Sequence, residues 1–199
     1  MNKDILFDIS AGMYILSTKH SACFVDAVMQ ISSDSEPLIC VSVMNDNYTN
    51  KIMKEEDYFI ISVFGMESNP ELIKIFGMNS SEYLDKFKDI DYDVINDIKV
   101  PKDMLGYLYL EKIDSIKNNT HTLFIGKVKS RDRFKNSKLM TYQYYQEHKE
   151  ELLKVKTLNN KTAWICEVCG YIYYGEELPN DFICPKCKMP KSVFKKVEE

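Results

Sequence analysis

Apolar residues in the first 130 positions fall into short runs instead of recurring at helical spacing. The runs are GMYILS (12–17), CFVDAVMQIS (23–32), LICVSVM (38–44), YFIISVFG (58–65), GYLYLEKI (106–113) and TLFIGKVK (122–129). They are rich in Val, Ile, Phe and Tyr and are bounded by Asn, Asp, Ser, Gly and Pro, which is the signature of strands. One helical insertion interrupts them, NPELIKIFGMNSSEYLDKF (69–87), where Asn69 is suited to cap, Pro70 to open the first turn and Gly77 to end it. Ser80 or Ser81 would then cap a second short helix. In IKNNTHTLFIG the pattern predicts two strands meeting at Asn118 and Asn119, residues that tolerate positive φ, with His121 just past the tip.

Beyond Lys138 the period changes. MTYQYYQEHKEELLKVK (140–156) spaces Tyr142, Tyr145, Leu152 and Val155 as a helix among Gln, Glu and Lys. TLNNKT (157–162) is short, polar and uncapped and reads as a linker. The expected architecture is mainly β: a small barrel or sandwich with short helices over 1–156, the linker at 157–162, and a small C-terminal domain over 163–199.

The last domain carries the clearest chemistry. Four of the six cysteines form two CxxC pairs, Cys166/Cys169 and Cys184/Cys187, in WICEVCGYIYYGEELPNDFICPKC (164–187). Two such knuckles close a tetrahedral four-sulfur site, which accepts zinc or iron. Trp164, Tyr171, Tyr173, Phe182 and Phe194 supply aromatic filling for a unit too small to fold without its metal.

Composition narrows the functional classes. Twenty-six basic residues face thirty acidic ones, a formal charge of −4, and only Arg131 and Arg133 are arginines, so a broad basic face for nucleic acid is not expected. Over 161–199 six lysines balance six acids. The start, MNKDILFDISAGMYIL, is charged at Lys3, Asp4 and Asp8, and no window reaches the roughly 18 to 20 apolar residues of a membrane span. A cytoplasmic protein is expected, in which Cys23 and Cys40 serve as small buried hydrophobes.

CEVCGY, LPNDFICPKC and the trailing Phe194 resemble rubredoxin across residues 163–199. The resemblance implies one iron cycling between ferric and ferrous states on Cys166, Cys169, Cys184 and Cys187. Lys188 stands where that family usually has glycine after the last cysteine, in a turn that favours positive φ. A closed site of this kind carries one electron and binds no substrate, so it needs a donor that splits electron pairs, such as a flavin.

Three upstream segments offer flavin contacts: CFVDAVMQISSD (23–34), the donor-rich turn MNDNYTNK (44–51) and NNTHTLFIGKV (118–128). Taken singly, each also reads as a half-buried strand, an Asx-rich turn and a histidine satisfied by hydrogen bonds. Their order, followed by MTYQYYQEH, resembles the flavin reductase-like FMN-binding split-barrel family over residues 5–150. That resemblance implies a six-stranded split barrel holding FMN without a covalent bond, commonly as a homodimer. Its ring-contacting strand falls on Asp26, Ala27, Val28, Met29 and Gln30, its phosphate contacts on Ser32 and Thr49 with Lys51 nearby, its amide contact on Asn47, and its nicotinamide-facing position on His121. Asp26 and Ala27 replace a common Asn-Thr pair, which removes one hydroxyl and sets a carboxylate near the ring.

The two resemblances in this order match the family of high-molecular-weight rubredoxins. They imply a relay from NAD(P)H or a reductase through FMN to iron and on to a flavodiiron-type acceptor. The alternatives are a free-flavin or ferric reductase, and a zinc-ribbon scaffold that has lost flavin.

Overall fold

The structure, a computed structural model, describes residue 9 and residues 11–153, 163–168, 171–185 and 188–196. The chain divides into two compact units, Met1–Lys149 and Glu150–Glu199.

In the first unit the strands are β1 (Tyr14–Ser17), β2 (Ala22–Val25), β3 (Val28–Gln30), β4 (Leu38–Met44), β5 (Tyr58–Val63), β6 (Tyr92–Ile95), β7 (Ile98–Pro101), β8 (Gly106–Lys117) and β9 (His121–Arg133). Helices α1 (Tyr48–Glu55), α2 (Glu71–Met78) and α3 (Tyr142–Leu152) complete it. Seven strands form one antiparallel sheet in the order β2-β1-β5-β8-β9-β4-β3. Its two edge strands, β2 and β3, are consecutive in the chain and separated only by Asp26 and Ala27, so the sheet must curl to bring its edges together. The expected six strands become seven because CFVDAVMQIS breaks at that dipeptide.

The alternation that defines a two-faced sheet is clear in β4 and β9. Ile39, Val41 and Val43 are buried while their neighbours are half-exposed, and Thr122, Phe124, Gly126 and Val128 alternate likewise. Their inward side chains join Leu16, Cys23, Phe59, Ile61 and Leu110 in the barrel core. Gly126 permits the tightest packing there: a Cβ at that position would lie 2.6 Å from Cζ of the fully buried Phe59. Cys23 is a core hydrophobe as expected, whereas Cys40 lies on the opposite, half-exposed face of β4.

Local expectations were met unevenly. Asn69 does cap α2, its Oδ1 accepting from Glu71 N at 3.0 Å. Gly77 does not end α2, which continues to Met78; the glycine lies where a Cβ would meet Phe24 of β2 at 3.4 Å, so it serves packing and not termination. The second helix after Ser80 is absent. Residues 81–89 form turns, because Ser81 Oγ is drawn into hydrogen bonds with both the N–H and C=O of Ala22, and Lys86 Nζ into bonds with the carbonyls of Ala22 and Phe76.

The β8–β9 hairpin turns where expected but without positive φ at Asn118 or Asn119. Asn45 Nδ2 braces it instead by donating to the carbonyls of both asparagines. The left-handed pair lies at Asn96 (φ 48°) and Asp97 (φ 68°), in a β6–β7 hairpin that no pattern predicted.

The second unit holds a three-stranded sheet, β11-β10-β12, built from β10 (Ala163–Cys166), β11 (Ile172–Tyr174) and β12 (Phe194–Lys196). The linker expected at 157–162 lies outside the described residues.

Candidate functional site

The turn at Asn47 opens a helix, and this changes what the polar stretch MNDNYTNK can do. Asn47 caps α1 with Oδ1 accepting from Thr49 N at 2.9 Å. The amides of the first turn and the positive end of the helix dipole therefore gather here. Lys112 Nζ meets the opposite end, donating to Met53 O at 2.8 Å and Lys54 O at 3.1 Å. Lys51 points outward from α1 and is exposed.

Beneath the first turn lies a buried polar network. Thr49 is 1% exposed and its hydroxyl shares a 2.7 Å hydrogen bond with Ser21. Burial pushes the Cys23 thiol pKa up; the charge of Lys86 and hydrogen bonds with the side chains of Thr49 and Asn47 oppose that shift. The Lys86 ammonium is held in the interior by Ala22 O at 2.7 Å and Phe76 O at 3.0 Å. A pocket of about 360 Å³ opens beside it between Ser21, Ala22, Ser81 and Lys99. Asn50, fully buried, donates to Val43 O at 2.9 Å while its Oδ1 has no hydrogen-bond partner among the described residues.

Asn50 and Lys86 escaped the sequence reading. The only signal for Asn50 was Met53 three residues on, marking one face of a short helix, and Lys86 sat inside the segment expected to be a second helix.

The other flavin candidates lie on the β2–β3 link, on edge strand β3 and at the start of β9, two strands in from that edge. Asp26 and Ala27 form the link between β2 and β3, with Ala27 O accepting from Ser42 N at 2.9 Å. Val28 and Met29 pair with Val41 and Cys40, and Gln30 folds its side-chain amide onto Ser32 O at 2.7 Å. Ser32 Oγ is engaged locally, accepting from Leu38 N at 2.9 Å. His121 starts β9 directly opposite Met44, and its Nδ1 lies 2.9 Å from Thr120 Oγ1. Asn45 connects this histidine's turn to the start of α1, its Oδ1 accepting from Thr122 Oγ1 at 2.7 Å.

The structure also brings α3 to the β2–β3 link. Burial first, then the negative charge of Asp26, pushes the Tyr142 phenol pKa up. Next to it, burial and then Tyr142 push Tyr145 up to about 12.

In the second unit Cys166 ends β10 and Cys184 lies before a turn, 1% and 0% exposed respectively. Both sit in one cluster with Leu178 and Phe194, packed by Trp164, Tyr171, Tyr173 and Phe182. Phe182 meets Tyr173 edge-on at 4.9 Å and Phe194 at 5.3 Å, as the aromatic filling of the sequence requires. The Trp164 indole N–H donates to Gly175 O at 3.1 Å. Cys166 N–H donates to Tyr171 O, and Cys184 N–H to Met189 O, both at 2.8 Å, which folds the backbone around each sulfur. Cys169 and Cys187 lie outside the described residues. Two thiols buried in a small aromatic core with their turns closed suit a thiolate-held metal without an open coordination position.

Comparison with known proteins agrees with this division. The flavin reductase like domain matches residues 6–153, and the rubrerythrin, rubredoxin-like domain matches residues 164–195. The high molecular weight rubredoxin of Moorella thermoacetica is 28% identical in an alignment spanning 99% of this chain and 100% of that protein. The ferric-chelate reductase (NAD(P)H) of Archaeoglobus fulgidus is 27% identical over 73% of this chain and 89% of its own.

Among solved structures, the NADH:FAD oxidoreductase SgcE6 of Streptomyces globisporus shares the fold of the first unit with a TM-score of 0.63. It is 16% identical and covers 69% of this chain and 83% of its own. An FMN-binding protein of Thermus thermophilus gives a TM-score of 0.59 at 16% identity, covering 67% of this chain and 82% of its own. The chain therefore belongs to the flavin reductase-like family and bears a rubredoxin-like module behind that domain, the arrangement of the high molecular weight rubredoxins.

Proposed function

We propose that the chain is a two-centre electron carrier that takes electrons from NAD(P)H or a reductase onto FMN and delivers them from iron to a protein acceptor of the flavodiiron type. The observation that carries this reading is the closed, buried setting of Cys166 and Cys184, which suits electron transfer and leaves no place for a substrate. The flavin would supply the conversion between paired and single electrons.

The residues of the first unit would bind and orient it. The start of α1, capped by Asn47, suits a phosphate, with Lys51 and Ser32 at its approaches. Asp26 to Gln30 would border the ring, and Asn50 Oδ1 is a buried acceptor in want of a donor. In this reading Thr49 supports the turn through Ser21 unless it releases that bond to face the phosphate. His121 would face the nicotinamide. Cys169 and Cys187 would join Cys166 and Cys184 as iron ligands.

A homodimer fits the outer face of β3, β4 and β9. Met29 (62% exposed) and Met44 (55%) line that face with Cys40, Leu123 and Ile125, and a second copy of this apolar strip would cover it. The proposed linker, 157–162, extends at most roughly 20 Å, enough for the iron module to reach a flavin and a partner in turn. Among the described residues no helix is long and apolar enough to cross a membrane, and free Cys23 and Cys40 suit the reducing cytoplasm.

An absorbance spectrum with metal analysis tests the reading first: iron on the thiolates and a flavin are expected, and zinc without flavin would sink it. NADH should then bleach the iron absorbance only when FMN is bound. A second reading, a ferric reductase, is favoured by the similarity to the Archaeoglobus fulgidus enzyme. It is preferred if ferric chelates are turned over equally well after Cys166→Ser and Cys184→Ser.

A further inference from the structure

The second cysteine turn is built on a residue whose backbone conformation most side chains avoid. Lys188 has φ 59°, in the left-handed region. The other two non-glycine residues with positive φ among those described are Asn96 and Asp97, types that tolerate it in a tight hairpin. A lysine has no such excuse. The closure of the turn imposes the conformation: Lys188 N–H donates to Cys184 O at 2.9 Å, while Cys184 N–H donates to Met189 O at 2.8 Å.

The side chain then returns across the same turn, Nζ donating to Pro185 O at 3.2 Å. This tethers an ammonium beside Cys184 with no carboxylate partner among the described residues. The acid of the first turn, Glu167, is paired with Lys195.

We infer that Lys188 tunes the reduction potential of the thiolate-held metal, its uncompensated ammonium favouring the reduced charge state of the site. The inference rests on the iron reading above. With iron held by four thiolates, one electron from a reduced flavin would take the site from a single to a double net negative charge, with no bond broken and no proton moved. A cation fixed next to a ligand lowers the free energy of the doubly charged state more than that of the singly charged one. Glycine would relieve the backbone and lose the charge, so a lysine here is intelligible as tuning at some expense of stability.

The test is a redox titration of the iron absorbance in the full chain reconstituted with iron, wild type against three substitutions. Lys188→Asn keeps a residue that tolerates the left-handed turn and removes the charge; Lys188→Gly removes charge and strain; Lys188→Arg keeps both. The Asn and Gly variants are expected to lower the ferrous-to-ferric ratio at a fixed potential about threefold, a negative shift of about 30 mV for a one-electron couple. The Arg variant should match wild type, and the difference should shrink as salt is raised. A merely structural residue would change the melting temperature without moving the potential. Unchanged potentials in the Asn and Gly variants at low salt overturn the tuning role alone. Failure of the thiolates to take up iron overturns the relay, and this inference with it.

Discussion

Single side chains show how differently two halves of this molecule expose their purpose. Cys166 and Cys184 were legible as candidate metal ligands from spacing, because a CxxC turn is a local structure whose chemistry needs no distant partner. Asp26 could not be placed so easily. Its proposed role rests on its negative charge acting on Tyr142, more than a hundred residues away, and on the break it makes with Ala27 between β2 and β3. Asp26→Asn removes the charge without changing shape. It is expected to make the bound flavin easier to reduce, with about a tenfold rise in the reduced-to-oxidised ratio at a fixed potential, some 30 mV for two electrons. A redox titration of the flavin absorbance checks this, and the Tyr142 pKa should fall with it. Asn47→Ala tests the helix cap in turn: loss of its bond to Thr49 N should cost about 1 kcal/mol in denaturant titration and weaken FMN retention on dialysis.

At the level of elements, strands were easier to read than helices, and the reason is physical. LICVSVM and TLFIGKVK carry their β character residue by residue, whereas α1 is eight residues long and owes its stability to the Asn47 cap, to Lys112 at its far end and to Met53 in the core. No short isolated helix is stable on propensity alone. The β5–β9 contact shows how tight strand packing has become. Phe59→Ala should cost about 3 to 5 kcal/mol, and Gly126→Ala about 1 to 3 kcal/mol because its Cβ has nowhere to go but the Phe59 ring; both are measurable by urea unfolding.

The first turns of α3 carry a pH signature. Tyr145 ionises near pH 10 unfolded and at about 12 folded, so between those values the folded state holds the proton that the unfolded state has lost. Stability contributed by this residue is therefore intact below pH 10 and falls as pH rises from 10 to 12, by about 3 kcal/mol at most. Tyr145→Phe should melt with a shallower decline than wild type across that range.

On the scale of the whole molecule, the two units are expected to answer metal removal separately. A chelator, or Cys166→Ser together with Cys184→Ser, would take the proposed metal from the cluster in which Trp164, Phe182 and Phe194 pack with Cys166 and Cys184. Residues 163–196 should lose their near-ultraviolet circular dichroism and amide protection, since a unit this small has little else to fold on. The barrel, with its core of Phe59, Phe124 and Ile61, should keep its own melting transition within a few degrees. A single transition that shifts as a whole would show that the units fold together.

Much of this protein was determined by its sequence alone: a strand-rich first domain, the α3 helix and the aromatic filling of the last domain. These are short-range matters of alternation, spacing and local backbone preference. Tertiary structure alone decided the rest. It split one apolar run into the two edges of a curled sheet and turned an Asn-rich stretch into a capped helix. It also carried Lys86 from an expected helix face into the interior, where its ammonium bonds the carbonyls of Ala22 and Phe76. Those outcomes depend on which carbonyls and cavities a distant strand presents, and a one-dimensional pattern holds no record of them.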